Sequence, residues 1–276
     1  MINYKNKFYI ILRNLIKKIV WFFGFRLIRR AKFNYKKLSF DDLIVKFTNP
    51  NSPVIFDVGA HNGNSIERYI ELFSNPNIHS FEPNPKIFND LVNKFSNTKN
   101  LKLNNFAFGD QNHSKLFNIF AKSDTSSFLP LNDSEWVNVR SKQMGINKDE
   151  FLKEQVPVEI RKLDDYVEQN NIQKIDVLKL DTQGYEKNVL DGAKKTLERK
   201  IIKIIETEII LDNVYDNYLT FTDIEKNLVN NNYRLIALED MNFTNLIEGY
   251  MFAFNAIYID KDLLAEKWND KTKNDQ

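Results

Sequence analysis

Along the chain, short apolar runs alternate with longer stretches whose apolar residues recur every three or four positions. Runs bounded by Pro, Gly or Asn read as strands, and the longer spacings read as helices. The pattern predicts a helix over Phe40–Phe47 and a strand over Val54–Val58 that is buried on both faces. A helix over 64–73 follows, with Ile66, Ile70 and Phe73 on one side. Next come a strand over 78–81, a helix over Pro85–Lys94 opened by a favoured first-turn proline, and a strand over 101–106. This βαβαβ order implies a parallel sheet with right-handed crossovers. A strand-like piece over 115–120, a polar stretch over 123–127 and an irregular region to about residue 155 form an insert where acceptor binding is expected. Beyond it the pattern predicts an edge strand over 156–160, a helix over Leu163–Gln169 and a buried strand over 175–181. Residues 182–186 cap that strand and one helix runs on to about residue 199. A strand over 201–205 ends on Glu206-Thr207-Glu208, a helix covers 221–231, and strands over 233–238 and 251–259 close the chain as a hairpin-like pair. The last ten residues are mostly polar and are expected to fray.

With 276 residues and neither a repeat nor a Gly/Ser linker, one large domain over 51–260 is expected, with an arm over 1–50 and a polar tail over 261–276. The arm changes the meaning of the net charge of +2. Residues 1–37 hold eleven of the 39 Lys and Arg and none of the 37 acids, so a basic arm precedes an acidic body. Within the arm, Phe8, Leu12, Leu15, Ile19 and Phe22 line one side of a helix. Its longest uncharged stretch, 19–25, is far below the ~20 residues a membrane span needs, and no small-residue cleavage site follows. An apolar face with Trp21 and cationic flanks suits an anionic inner-leaflet surface, with packing on the body or on a second subunit as the alternative. The expected location is therefore cytoplasmic and peripheral to the membrane. So apolar an arm on an acidic body disfavours nucleic acid as a partner. The chain has no cysteine, which excludes disulfides and thiolate chemistry, and only His61, His79 and His113 supply imidazole.

Ligands of open parallel sheets sit outside the carboxyl ends of the strands. Reading those ends in turn gives Asp57 and Gly59, Glu82, Gly109 and Asp110, Asp181, and then Glu206 and Glu208. Four of only eight glycines, Gly59, Gly63, Gly109 and Gly184, fall beside predicted strand ends. Glu82 follows Gly59 at nearly the spacing at which a carboxylate reaches a ribose hydroxyl. The glycine loop reads Gly-x-x-x-Gly and lacks the third small residue of a pyrophosphate turn, so a nucleoside without phosphates fits better than NAD.

The residues Asp57-Val-Gly-Ala-His-Asn-Gly63, Glu82-Pro83, Ala107 with Gly109, Ser126-Ser127 and above all Leu178-Lys-Leu-Asp-Thr-Gln-Gly-Tyr-Glu186 resemble the FkbM-type methyltransferases over about residues 52–259. The resemblance implies an α/β fold with a doubly wound, mostly parallel seven-stranded sheet. It also implies S-adenosylmethionine as methyl donor and methylation of a hydroxyl, often on a sugar or a polyketide. By position, Gly59, Ala60 and Gly63 would admit the methionine part of the donor, with Asp57 ordering the loop. Glu82 would hold the ribose, and Asp110, beside Gly109, would accept from the adenine amine. In-line methyl transfer leaves an alcohol proton to place, and Asp181, Glu208 and His61 are the candidate acceptors for it. Each also has a structural reading, as a helix cap, a surface charge and a loop hydrogen bond respectively. Glu186 in a first helical turn is favoured by the dipole alone. A divalent ion between Asp181 and Glu206 or Glu208 is conceivable but nothing in the spacing requires it, so no metal site is assigned. An amino-group methyltransferase of nucleic acid is disfavoured because Asp181-Thr-Gln-Gly stands where a proline-rich, aromatic loop is usual. A membrane-tethered scaffold without catalysis would be expected to have lost Asp57, Gly59, Gly63 or Glu82, all of which are present.

Overall fold

The computed structural model describes residues 38–48, 51–217, 220–243 and 251–266. The predicted arm helix over 1–37 and the polar last ten residues lie outside the described residues. In chain order the main elements are α1 (Phe40–Phe47), β1 (Val54–Val58), α2 (Asn64–Leu72), β2 (Asn77–Phe81), α3 (Pro85–Lys94), β3 (Leu101–Asn104), β4 (Ala107–Phe108) and β5 (His113–Phe120). There follow α4 (Glu135–Met144), β6 (Leu152–Arg161), α5 (Leu163–Gln169), β7 (Ile175–Leu180), α6 (Glu186–Asp191), α7 (Lys194–Glu198), β8 (Ile202–Ile210), α8 (Phe221–Asn230), β9 (Tyr233–Phe243) and β10 (Met251–Asp260).

Seven strands form one sheet in the order β3-β2-β1-β7-β8-β10-β9, parallel from β3 to β8, with β10 antiparallel to both of its neighbours. The chain winds outward from β1 through β2 to β3, then returns to β7 on the other side of β1. The crevice of a doubly wound sheet opens at that reversal, at the carboxyl ends of β1 and β7. Both faces are covered. Phe40, Ile44 and Phe47 of α1 pack with Ile66 and Tyr69 of α2 and Leu91 of α3 against one face. Leu163 and Tyr166 of α5, Val189 and Leu190 of α6, Leu197 of α7 and Ile224 and Leu228 of α8 cover the other. This two-sided burial explains why β1 and β7 read as apolar runs rather than as alternations.

Several expected boundaries move for local reasons. β3 ends at Asn104, because Asn105 turns and donates to the Glu82 carbonyl at 2.9 Å. The predicted edge strand over 156–160 is the middle of a ten-residue strand, β6, in a separate three-stranded sheet ordered β4-β6-β5. The irregular insert contains the ten-residue helix α4, capped by Ser134. The single helix expected up to residue 199 is two, broken at Gly192–Ala193. Gly192 lies so close to the Gly109 carbonyl that a Cβ would come within 2.0 Å of it. The largest correction concerns β8, which runs to Ile210. Glu206 and Glu208 are therefore inside a strand and not beyond its end.

Candidate functional site

A cavity of about 620 Å³ opens at the predicted crevice, well within the range of small-molecule sites. Val58, Gly59, Ala60 and His61 line one wall, with Glu82, Ile87 and Phe106–Phe108 beside them. Lys179, Asp181, Gln183 and Glu208 form the floor, and Ser123–Ser126, Trp136, Arg140 and Tyr215 close the opposite wall.

The β1 turn is built by close contact. Gly59 has φ +91°, and a Cβ there would stand 1.9 Å from the Asp181 carbonyl oxygen, so glycine alone fits. Glu82, 5% exposed, ties the turn to the next strand. Its Oε2 accepts from the His61 amide and its Oε1 from the Asn84 amide, each at 2.8 Å. Burial pushes its carboxyl up to about 7 in spite of those two amides.

Across β1, β7 and β8, Asp57, Lys179 and Glu206 are register neighbours. Burial opposes a charge on Lys179, but Asp181 and Asp57 beside it raise its ammonium above the usual range. Lys179 Nζ donates to Asp181 Oδ2 at 3.0 Å and lies 4.0 Å from Asp57 Oδ1. Burial works to raise Asp181 as well, yet the Lys179 ammonium and the Gln183 amide hold it below the usual carboxylate range. Glu208 behaves oppositely: burial, then the neighbouring Asp181 charge, push it up to about 8. Gln183 joins the two acids, its Nε2 donating to Asp181 Oδ1 at 3.0 Å and to Glu208 Oε2 at 2.7 Å. Two adjacent carboxyls driven apart in this way supply one ionised acceptor and one protonated donor at neutral pH. His61 sits at φ 44° with Nε2 3.0 Å from Ser123 Oγ, and burial lowers its pKa, so the ring is neutral.

The three predicted proton acceptors, Asp181, Glu208 and His61, thus line one cavity, as do Gly59, Ala60 and Glu82. Four other predicted cofactor residues do not. Asp57 is fully buried beneath the turn, where it accepts from Ser80 Oγ at 3.3 Å. Gly63 caps α2 with φ 81° against the Phe95 ring. Gly109 packs on Ile160 and Tyr185, and Asp110 meets Asn188, 3.4 Å away, outside the lining. Both belong to the small sheet's side of β4, which pairs with β6 and not with β3. Glu206 is likewise outside the lining: it accepts from Arg68 at 2.7 Å and from Tyr69 at 3.2 Å. Glu186 is structural, since its Oε1 accepts from the Thr182 amide at 2.9 Å and the Gly184 amide at 3.3 Å. Sequence reasoning missed Lys179, Gln183 and Arg140. Lys179 and Gln183 lie within the block 178–186 that carries the family resemblance, which was the available signal for both; Arg140, in the irregular insert, had none.

The residues present fit a nucleoside-bearing donor. Each Glu82 oxygen accepts one amide and so keeps acceptor capacity for a hydroxyl. Ile87, Phe106, Ala107 and Phe108 give an apolar slot beside it. Among the described residues, no group of three His, Asp or Glu is arranged to hold a metal ion, and no helix is long and apolar enough to cross a membrane.

The family model described as the methyltransferase FkbM domain matches residues 57–235. The 2-O-methyltransferase NoeI of Sinorhizobium fredii is 25% identical over 178 residues, covering 64% of this chain and 71% of that protein. Among solved structures, an rRNA methylase from Streptococcus thermophilus superposes with a TM-score of 0.41 at 12% identity, over 80% of this chain and 93% of that one. Aeropyrum pernix fibrillarin with natively bound S-adenosyl-L-methionine gives 0.40 at 9% identity, over 77% of this chain and 68% of the other.

Proposed function

Because the chain belongs to the FkbM methyltransferase family and uses S-adenosylmethionine as methyl donor, we propose that it methylates a hydroxyl of a sugar in a glycan or glycolipid. The observation that carries this reading is the pair Asp181 and Glu208, bridged by Gln183 and pushed to opposite protonation states in one cavity. An alcohol must lose a proton as it becomes an ether, and the ionised member of the pair is placed to accept it. The name of the relative from Sinorhizobium fredii also specifies transfer to oxygen.

When bound, S-adenosylmethionine supplies an electrophilic methyl group on a sulfonium. Glu82 would hold the ribose hydroxyls, and the bare backbone at Gly59 and Ala60 would admit the methionine part. Asp181, kept ionised by Lys179, accepts the proton of the acceptor hydroxyl. Glu208 accepts Gln183 on Oε2 and keeps its own proton on the other oxygen, from which it donates to the acceptor and fixes its orientation. Neutral His61 helps close the cavity through Ser123. Much of the rate would then come from the cavity holding the acceptor hydroxyl in place against the donor. A polyketide or other small-molecule hydroxyl is the second acceptor class that the same geometry serves.

A screen of saccharides, lipid-linked saccharides and non-sugar alcohols with labelled donor tests the reading. Label recovered as a methyl ether on a sugar supports it; label transferred only to non-sugar acceptors refutes it. We further propose that residues 1–37, basic and apolar at once, bring the protein to an anionic membrane face on the cytoplasmic side. Flotation with anionic vesicles should require those residues; equal partitioning of a protein lacking them removes this part.

A further inference from the structure

The cavity has two unlike halves. The donor half comes from β1, β2 and the start of β4. The other half is built by the insert and by residues after β8, and it is here that an acceptor must lie. Three cations line the whole cavity: Lys122, Arg140 and Lys179. Lys122 is met by Asp124 at 2.5 Å and Lys179 by Asp181 at 3.0 Å. Arg140 has no carboxylate partner among the described residues. Its Nη1 donates to Gln143 at 2.9 Å, while its Nε is covered by protein with no acceptor. The guanidinium lies 5.7 Å from the centre of the Trp136 ring one helical turn earlier on α4. Trp136 itself is fixed by stacking on Phe252 at 5.6 Å and 18°.

A guanidinium that lines a ligand cavity and has no carboxylate partner among the described residues is suited to an anion, because Nη2 and the second hydrogen on Nη1 remain to donate to a carboxylate or phosphate. We infer that the acceptor carries an anionic group, a carboxylate or a phosphate, that pairs with Arg140 while the hydroxyl to be methylated reaches Asp181. This rests on the proposed reading of the site as one for a saccharide hydroxyl. The donor's own carboxylate is the competing occupant of Arg140, and the experiment separates the two.

Three probes with a shared phenyl group are titrated into the full-length protein saturated with S-adenosylhomocysteine: phenyl β-glucuronide, phenyl β-glucoside and phenyl phosphate. The inference predicts that an anionic probe binds about tenfold or more tightly than the neutral glucoside, the worth of a charge-assisted hydrogen-bond pair. Arg140→Gln should abolish that preference, Arg140→Lys should restore part of it, and both should bind S-adenosylhomocysteine as the unsubstituted protein does. Equal binding of glucoside and anionic probes, or no binding of any anionic probe at millimolar concentration, overturns it. So does an Arg140→Gln variant that remains folded by circular dichroism but loses S-adenosylhomocysteine. Should only phenyl phosphate bind, the anion site stands and the sugar reading falls; should both glycosides bind alike, the sugar reading stands and the anion site falls.

Discussion

Replacing Glu82 by Gln changes one oxygen to an amide and removes a charge without altering size. Both carboxylate oxygens are in use, each accepting a backbone amide at 2.8 Å. Neither flip of a Gln side chain satisfies both, so one amide of the turn faces another donor. A lost charge-assisted hydrogen bond at a buried site costs about 2 kcal/mol, equivalent to roughly a 30-fold weakening of S-adenosylhomocysteine if the turn must be ordered to bind it. The pH dependence gives a second signature. Burial raises the Glu82 carboxyl from 4.5 to about 7. A raised carboxyl contributes stability that is fully present below its unfolded value and lost as pH rises through its folded one. The unliganded protein should therefore lose stability between about pH 4.5 and about pH 7, by roughly 3 kcal/mol from this group. Ligand affinity should move the other way, because only the ionised carboxylate can accept both amides and a ribose hydroxyl together. Isothermal titration with S-adenosylhomocysteine from about pH 6 to about pH 8, on both proteins, reads both effects. Affinity that rises with pH in the unsubstituted protein and is weak and flat in Glu82→Gln is expected. An unchanged affinity and profile in the variant would refute the reasoning.

Other outcomes follow from neighbouring contacts. Gly59→Ala drives a Cβ onto the Asp181 carbonyl at positive φ, and should cost roughly 2–5 kcal/mol in denaturant unfolding. Glu208 titrates at about 8, so with saturating substrates the rate should be full below that pH and fall above it; Glu208→Gln, which mimics the protonated form, should lose that limb and keep most of its activity at neutral pH. Arg68→Met leaves Glu206 buried with only the Tyr69 hydroxyl, and should lower stability by roughly 3 kcal/mol while S-adenosylhomocysteine binding persists.

How much of this was legible in the sequence divides along physical lines. Boundaries set by local chemistry were visible: Pro85 opening α3 and Pro53 preceding β1 fix their elements within a residue. Boundaries set by distant backbone were not. Nothing near Gly192 says that the chain must bend there to clear the Gly109 carbonyl. The polar Glu206-Thr207-Glu208 looked like a strand end, because the Arg68 that satisfies Glu206 lies in another element. For the site, strand-end position brings Gly59, Glu82 and Asp181 to one crevice. Gly109 and Asp110 fall outside its lining, since β4 leaves the main sheet to pair with β6. The opposed titration of Asp181 and Glu208 depends on Lys179 and Gln183, and side chains that meet only in the fold leave no trace in spacing.

The most direct test of the central claim is methyl transfer from labelled S-adenosylmethionine to saccharide acceptors by the unsubstituted protein and by Asp181→Asn, with S-adenosylhomocysteine binding measured on both. Sugar methyl ethers formed by the former, and a loss of about a hundredfold or more in the latter with S-adenosylhomocysteine binding retained, are the predicted result. Methyl groups found on nitrogen or carbon, or an Asp181→Asn variant that turns over as fast as the original, would contradict it.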